Sequence, residues 1–421
     1  MGDCDYSLLD DAALLDLVQR NTLSYFWDYG HPVSGMARER DNNAFGYAPE
    51  DTVTTGGTGF GIMAMVAGAE RGFLPRDGVL DRIATIVGFL ERADRYHGVY
   101  PHFLNGETGR TIPFTPRDDG ADLVETSFLM AGLLTARQSV RKDRPELAAR
   151  IDNLWRAVDW AFHVRPADGA LLWHWSPNFG WAMNHAITGW NECLITHVLA
   201  ASSPTHAVDP STYHGSWAKG RDFANGRTVY GERLALGPDR GGPLFFTHYS
   251  FLGLDPRGLT DAYADYFAQN VAHAKINRTH CIVNPKGFAG YGPECWGLTA
   301  SDNHEGYNAH SPSNDHGVIT PTAALGSFPY VPAESMAALK HFLTAMDGRL
   351  FGPRGFADSF TPYRNWVAES HLAIDQGPIV VMIENHRSGL LWRLFMSCPE
   401  VLGGLRRLGF SSPHLQAEVR A

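Results

Sequence analysis

Apolar residues recur with a helical period over most of the chain, and polar, aromatic stretches interrupt them. The pattern predicts helices over residues 8–25, 58–71, 77–96, 122–139, 144–164, 184–201, 261–277, 318–325, 332–345 and 377–396. The segment 58–71 is built largely of small residues, which suits a helix packed closely by its neighbours. The connections 28–57, 97–121, 165–183, 226–256, 281–317 and 350–376 are long and rich in Gly, Pro, Trp, Tyr, His and Asp. Connections of that length in a compact domain usually carry function. Within them, 97–110 and 169–175 read as short hairpins. No linker or low-complexity stretch divides the chain, so a single domain over 1–421 is expected. The alternation predicts an all-α fold: a toroid of paired helices, with small-residue helices inside and the loops gathered at one mouth. Gly56-Gly57-Thr58-Gly59-Phe60-Gly61 lacks the Lys-Ser/Thr of a phosphate loop and follows no predicted strand. It reads as the close-packed start of an inner helix.

Composition narrows the ligand. The 421 residues carry a net charge of −10, only 19% are charged, and 12% are aromatic. That excludes a disordered chain. Acidity without a basic run argues against nucleic acid and anionic membrane as partners. Abundant Trp and Tyr beside scattered carboxylates suit an oligo- or polysaccharide, although a large helical core also uses many aromatics. Cys4, Cys193, Cys281, Cys295 and Cys398 are widely spaced with no CxxC, so neither a disulfide framework nor a zinc site is expected. The start of the chain has no apolar signal region and no stretch reaches about 18 apolar residues. The chain as it stands is expected in the cytoplasm, or in the periplasm or secreted if a leader was removed. Its oligomeric state is left open.

Arg117-Asp118-Asp119-Gly120-Ala121-Asp122-Leu123-Val124-Glu125 crowds four carboxylates at the entrance of an apolar helix. Asp122 and Glu125, three apart, share a helix face and repel unless a cation or polar ligand answers them. An acidic first turn that favours the helix dipole is the alternative. Glu192 lies among apolar neighbours in Gly189-Trp190-Asn191-Glu192-Cys193, as a helix-surface position or as a buried, protonated acid. Asp375 precedes Gly377-Pro378 at a predicted helix start, which favours ionisation and suits either a base or an ordinary N-cap. The loop from Trp296 to Gly317, with Asp302, His304, Tyr307, His310, Asp315 and His316, binds a polyhydroxylated ligand or satisfies itself. It has no HExxH or calcium-loop spacing, so no metal and no cofactor are expected. Trp27, Trp175 and Trp181 stand near loops or helix ends, where rings stack on sugars or fill core. Paired carboxyls, one protonated and one ionised, are what glycosidic-bond cleavage needs.

These residues resemble the bacterial glycoamylase-like domain, which includes glycoside hydrolase family 144 and relatives acting on β-1,2-glucans. The resemblance rests on Tyr25-Phe26-Trp27-Asp28, Thr55-Gly56-Gly57-Thr58-Gly59-Phe60, Asp122-Leu123-Val124-Glu125-Thr126, Gly189-Trp190-Asn191-Glu192, Trp296-Gly297-Leu298-Thr299-Ala300-Ser301-Asp302 and Ile374-Asp375-Gln376-Gly377-Pro378. It implies an (α/α)6 barrel and hydrolysis of β-1,2-linked glucose chains with anomeric inversion. It implies Glu192 as general acid, Asp375 on the base side, and Asp122 and Glu125 as carboxylates lining the cleft. Trp27, Asp28, Trp175, Trp181, Trp190, Trp296, Asp302 and Tyr307 are the expected substrate contacts. The segment Asp302–Gly306 departs from the family form, which bears on chain length and on endo versus exo action. A transglycosylase, a glycosidase of another linkage and a non-catalytic sugar-binding protein stay open as alternatives.

Overall fold

The computed structural model describes residues 6–42, 46, 49 and 51–417, so Cys4 and the acidic start lie outside the described residues. Helices dominate: α1 (Asp11–Trp27), α2 (Thr55–Glu70), α3 (Arg76–Leu90), α4 (Leu123–Val140), α5 (Pro145–Ala157), α6 (Leu194–Ser202), α7 (Tyr266–Val283), α8 (Pro321–Leu325), α9 (Pro332–Thr344), α10 (Ala373–Arg387), α11 (Leu390–Phe395), α12 (Pro399–Arg407) and α13 (Pro413–Ala417). Their inner and outer members differ in burial. In α2 every residue from Thr55 to Gly68 is buried, and in α4 every residue from Leu123 to Ala136. A helix apolar all round must be enclosed by others. By contrast α5 and α12 bury one stripe each.

Helix contacts trace a ring. Helix α2 packs between α4 and α10, α4 packs on α6, and α10 on α8. Short turns at Leu244–Thr247 and Ser250–Leu252 bridge toward α6 and α10 and close the circle. Outside it, α1 lies on α2 and α10, α5 on α4, α9 on α8, and α12 on α6. One continuous hydrophobic cluster runs from Leu14 to Leu415. The fold is thus an all-helical toroid decorated with short antiparallel strand pairs, and among the described residues no helix is long and apolar enough to cross a membrane.

Several predicted helices are shorter or broken: 77–96 ends at Leu90 and 144–164 at Ala157. The 184–201 segment is helical only from Leu194, because Gly189 takes a left-handed φ of 78° and the chain turns before α6. Glu192 therefore lies in the turn ahead of the helix, not within it. The 377–396 segment is two helices separated at Gly389, whose φ is 67°. The first of them starts at Ala373, which puts Asp375 inside its first turn rather than before it.

Strand pairing differs from the local hairpins read from 97–110 and 169–175. Phe103–Asn105 pairs with Thr111–Ile112 as expected, but also with Thr52–Thr54. His174–Trp175 pairs with Ala121–Asp122, far away in sequence. Strands this short are chosen by tertiary partners, not by local propensity.

Glycine decides how closely the inner helices approach. A Cβ on Gly59 would stand 2.2 Å from the Phe128 carbonyl oxygen, and one on Gly132 2.2 Å from the Gly59 carbonyl oxygen. The α2 and α4 backbones touch here. Gly59→Ala is expected to cost about 3 kcal/mol or more through backbone displacement, read as a lowered midpoint in urea unfolding; an unchanged midpoint would refute the close-contact argument.

Candidate active site

The carboxylates come from the starts of the inner helices. Asp122 ends the short strand before α4 and caps it: its Oδ1 accepts the backbone N–H of Val124 at 3.0 Å and of Glu125 at 2.9 Å. Its Oδ2 is 3.0 Å from His102 Nδ1 and 3.8 Å from His174 Nδ1, and His174 lies 3.1 Å from Asp118. Burial pushes the Asp122 carboxyl up, but the His102 hydrogen bond, the two imidazoles and the helix N–H groups outweigh it and hold Asp122 ionised. Burial likewise opposes charge on His102. Glu125, Asp122 and Asp118 overcome it and lift the imidazole to about 9. Phe114, half exposed on the neighbouring loop, stacks on His102 with ring centroids 4.3 Å apart.

Glu125 faces the same space from the first turn of α4. Its Oε2 accepts the Gly56 N–H at 2.7 Å. A Cβ at position 56 would stand 2.5 Å from that oxygen, so glycine is what lets the α2 backbone meet the carboxyl. Burial raises Glu125 to about 7; His102 pulls it down and Asp122 pushes it up. Glu192 is raised to about 7 as well, by burial and then by Glu125 and Asp122, against a lowering from its own backbone. Ser250 Oγ bonds the Glu192 carbonyl and fixes the turn.

A second acidic group surrounds Asp375. Arg40 binds Glu39 through Nε at 2.7 Å and Asp302 through Nη1 at 2.9 Å. Ser370 Oγ bonds the same Asp302 oxygen at 2.6 Å, and the Asp302 N–H donates to Asp358 Oδ2 at 2.7 Å. Asp358 and Asp375 are both fully enclosed, and burial raises both, with each carboxyl adjoining the other and Asp302 adding to the repulsion. Four carboxyls share this space with the Arg40 guanidinium. Two adjoining buried carboxyls do not both ionise at neutral pH, so Asp358 and Asp375 hold at least one proton between them. The helix N-terminus alone was expected to ionise Asp375; burial and like charge outweigh that dipole and push its carboxyl up to about 8, so it is largely protonated at neutral pH.

Tyr249 ties the two groups together. Its phenol is raised first by burial and then by Asp375, Tyr307, Glu192 and Glu125, so all four lie near enough to act on it, and its ring packs against Phe60 and Phe128. Tyr307 pairs with Asp302 across the Ala300–Asn303/Gly306–Ala309 hairpin. Its ring is exposed, while its hydroxyl feels Asp375, Asp358, Glu39 and Asp302.

Of the expected substrate contacts, Asp302 and Tyr307 reach this space. Asp302 is buried beneath its surface and paired to Arg40. The others lie elsewhere. Trp27 packs on the outer wall under Arg82, and Asp28 beside it is exposed at the end of α1. Trp190 belongs to a buried aromatic stack with Trp217 and Tyr266. Trp296 is fully buried. Trp175 pairs with Ala121 and turns to Tyr96, His97 and Phe162, and Trp181 packs on Phe162 and His163. Strand alternation sends His174, not Trp175, toward the carboxylates. His102, His174, Glu39, Arg40 and Asp358 had no sequence signal as a set, because four separate connections deliver them.

His102, Asp118 and Asp122 bring ligand-type atoms within 4.8 Å of one another, the arrangement among the described residues that can hold a metal ion. The histidine charges already balance it. The acidic residues of the 296–317 loop are held apart by their own partners: Asp315 by His280 at 2.9 Å and by Tyr291, and Asp302 by Arg40. The described cysteines, Cys193, Cys281, Cys295 and Cys398, are free.

This fold and centre define an α/α toroid whose opposed carboxyls line one shared space. The chain belongs to the glycoamylase family, described as "Putative glucoamylase", whose model matches residues 184–399. It is 45% identical over 95% of its length to an exo β-1,2-glucooligosaccharide sophorohydrolase (non-reducing end) of Parabacteroides distasonis, and spans 58% of that curated relative. An endo-β-1,2-glucanase of Chitinophaga pinensis, solved with sophorotriose and glucose, is 52% identical, with a TM-score of 0.93 over 96% of this chain and 100% of that one. The glucoamylase of Hormoconis resinae shares the fold at 11% identity, with a TM-score of 0.52 over 90% of this chain and 73% of that one.

Glu125 makes a testable stability claim. A carboxyl whose folded pKa is raised favours the fold below its unfolded value, near 4.3. That contribution is lost as pH climbs toward about 7, the folded value of Glu125. Glu125→Gln keeps an acceptor for the Gly56 N–H and removes the charge. It should raise Tm at pH 8 while changing it little at pH 4.5; equal shifts at both, followed by circular dichroism, would contradict the assignment.

Proposed function

We propose that this protein is a glycoside hydrolase that cleaves β-1,2-linked glucan or its oligosaccharides with inversion, working as a single (α/α)6-barrel domain with its loops at one mouth. The observation that carries the reading is the set of carboxyls Glu125, Glu192 and Asp375, each near enough to act on the Tyr249 phenol. It supplies acids whose proton affinities lie near neutrality, Glu125 and Glu192 at about 7 and Asp375 at about 8, from separate segments of the ring. The β-1,2 linkage follows the two bacterial relatives.

In this reading Glu192 is the general acid. With its pKa near 7 it carries a proton for the glycosidic oxygen at neutral pH, then loses it as the bond breaks. Asp375 is the base that takes a proton from the attacking water through its ionised form, whose share grows as pH rises toward about 8. An ionised Asp122 and protonated His102 hold one wall, and Glu125 tunes the proton on Glu192. Phe114, stacked on that His102, offers a flat apolar face to a sugar ring.

Incubation with linear β-1,2-glucan should release reducing sugars, and Glu192→Gln should lower kcat/KM by about a thousandfold. No products from the wild type, or longer and cyclic products without new reducing ends, would overturn hydrolysis.

The alkaline limb of kcat/KM should titrate near pH 7 with Glu192. Glu125→Gln removes a neighbouring negative charge, so that limb should move to lower pH. A pH–rate series in which it stays put or rises would remove Glu125 from the acid's environment.

Asp358→Asn keeps a neutral donor beside Asp375 but removes the second ionisable group. The acid limb, set by Asp375, should then keep its position, because the donor to Asp375 is retained. A limb moved to lower pH would instead show that a charged Asp358 is what raises Asp375.

A further inference from the structure

Beside the second acidic group lies a cavity of about 230 Å³, lined by Asn42, Asp302, Arg349, Asn365, Trp366 and Glu369, with Ser370 at its edge. Its chemistry is unlike the surrounding core. One indole stands among amide, carboxylate and guanidinium groups, the mixture that matches a hexose with one apolar face and a rim of hydroxyls. The volume lies below the ~300 Å³ at which drug-sized ligands begin. It accommodates one ring, not a chain.

Asp302 forms the floor, and its two oxygens are used unequally. Oδ2 takes Arg40 and Ser370, whereas Oδ1, fully buried, has no hydrogen-bond partner. A buried acceptor left unmatched is costly unless a ligand or water meets it. The walls are preorganised. Trp366 belongs to the antiparallel pair Phe360–Thr361/Trp366–Val367, and the His304 ring meets its edge with centroids 6.4 Å apart. The Asn42 amide donates to Glu369 at 3.2 Å, and Arg349 bonds Asn365 and the Met346 carbonyl. Asp302 is paired across its hairpin with Tyr307, so the cavity and the space around Asp375 share a wall.

We infer that this cavity is a subsite for one glucosyl unit of the substrate away from the bond that is cleaved, and that Trp366 sets the preferred chain length. The inference rests on the reading of the site as a β-1,2-glucan hydrolase. The indole carries one face of the ring, and the Asn42, Arg349 and Asn365 side chains meet its rim of hydroxyls.

The test uses β-1,2-gluco-oligosaccharides of increasing length as substrates, with wild type, Trp366→Ala and the exposed-residue variant Glu369→Gln. Circular dichroism establishes that each variant is folded. Wild-type kcat/KM should rise with length until the cavity is filled. Trp366→Ala should remove about tenfold of that rise through KM and leave the shortest cleaved substrate unchanged. Glu369→Gln should give a smaller loss with the same length dependence, which keeps the test decisive if Trp366→Ala does not fold. Titration of the long oligosaccharide into Glu192→Gln, with and without Trp366→Ala, should show the same tenfold weakening. Loss equal at every length, or no loss, overturns the subsite while hydrolysis stands. A wild type inert to every length overturns both.

Discussion

The contact on which the site depends is the touching of two backbones, α2 against α4, at Gly59 and Gly132. Because no side chain separates them, the start of α2 comes close enough for the Gly56 N–H to reach Glu125 at 2.7 Å. That one bond orients a carboxyl that would otherwise be held by nothing but repulsion from Asp122. The same approach seats Phe60 on Phe128 and both on Tyr249, the floor over which the acidic groups meet. Tight helix packing and site geometry are therefore one constraint: a wider α2–α4 spacing loses the Gly56 bond and the aromatic floor together.

Around that floor the protein manages negative charge in two different ways. On the Asp122 side it uses cations and helix ends: two imidazoles and two backbone N–H groups keep one carboxyl ionised. On the Asp375 side a single guanidinium is spent on Glu39 and Asp302, and the remaining excess is relieved by retaining a proton. The first device gives a fixed charge, insensitive to pH near neutrality. The second gives a mobile proton. Glu192 stands between them, and its proton affinity answers to Glu125 and Asp122. Surroundings alone thereby spread carboxyls of similar intrinsic strength from ionised, Asp122, to protonated at neutral pH, Asp358.

The sequence was legible where chemistry is local. Helical period located most of the helices, and Glu125 in a first turn could be read from three-residue spacing, whereas Asp122, expected on the same helix face, caps the helix from the strand before it. The small residues of 58–71 announced an inner helix, which begins three residues earlier at Thr55. What the sequence hid was set by distant partners. His174 and Trp175 look equivalent as neighbours, yet pairing with Asp122 and Ala121 turns one to the carboxylates and the other to Phe162. The Trp at 190 and 296 carried family motifs, but both are core, because a motif's largest apolar residues are often there to hold its polar ones in place. Asp358 lies between Ala357 and Ser359 with no pattern around it; only the folding of a remote loop beside Asp375 gives it a part. Glu192, read as either a helix-surface position or a buried acid, is half-buried in the turn ahead of α6, since a single left-handed glycine at 189 decides where that helix begins.

Burying this many carboxyls has a consequence for what the site will bind. Glu125, Glu192, Asp358 and Asp375 are each raised by burial, so each disfavours the fold in its charged form. An anionic ligand would add to that burden and find only imidazoles and Arg40, all already engaged, to answer it. A neutral polyol does the opposite. Its hydroxyls donate to carboxylates and accept from protonated carboxyls, which suits a site holding both forms within one space. Displacing water from around the neutral acids raises their proton affinity further, so a bound sugar strengthens the very protonation on which cleavage relies. The acidic overcrowding of the centre is therefore a selective feature: it is tolerable to the fold only while part of it stays protonated, and that partial protonation is what an uncharged, hydroxyl-rich chain can use.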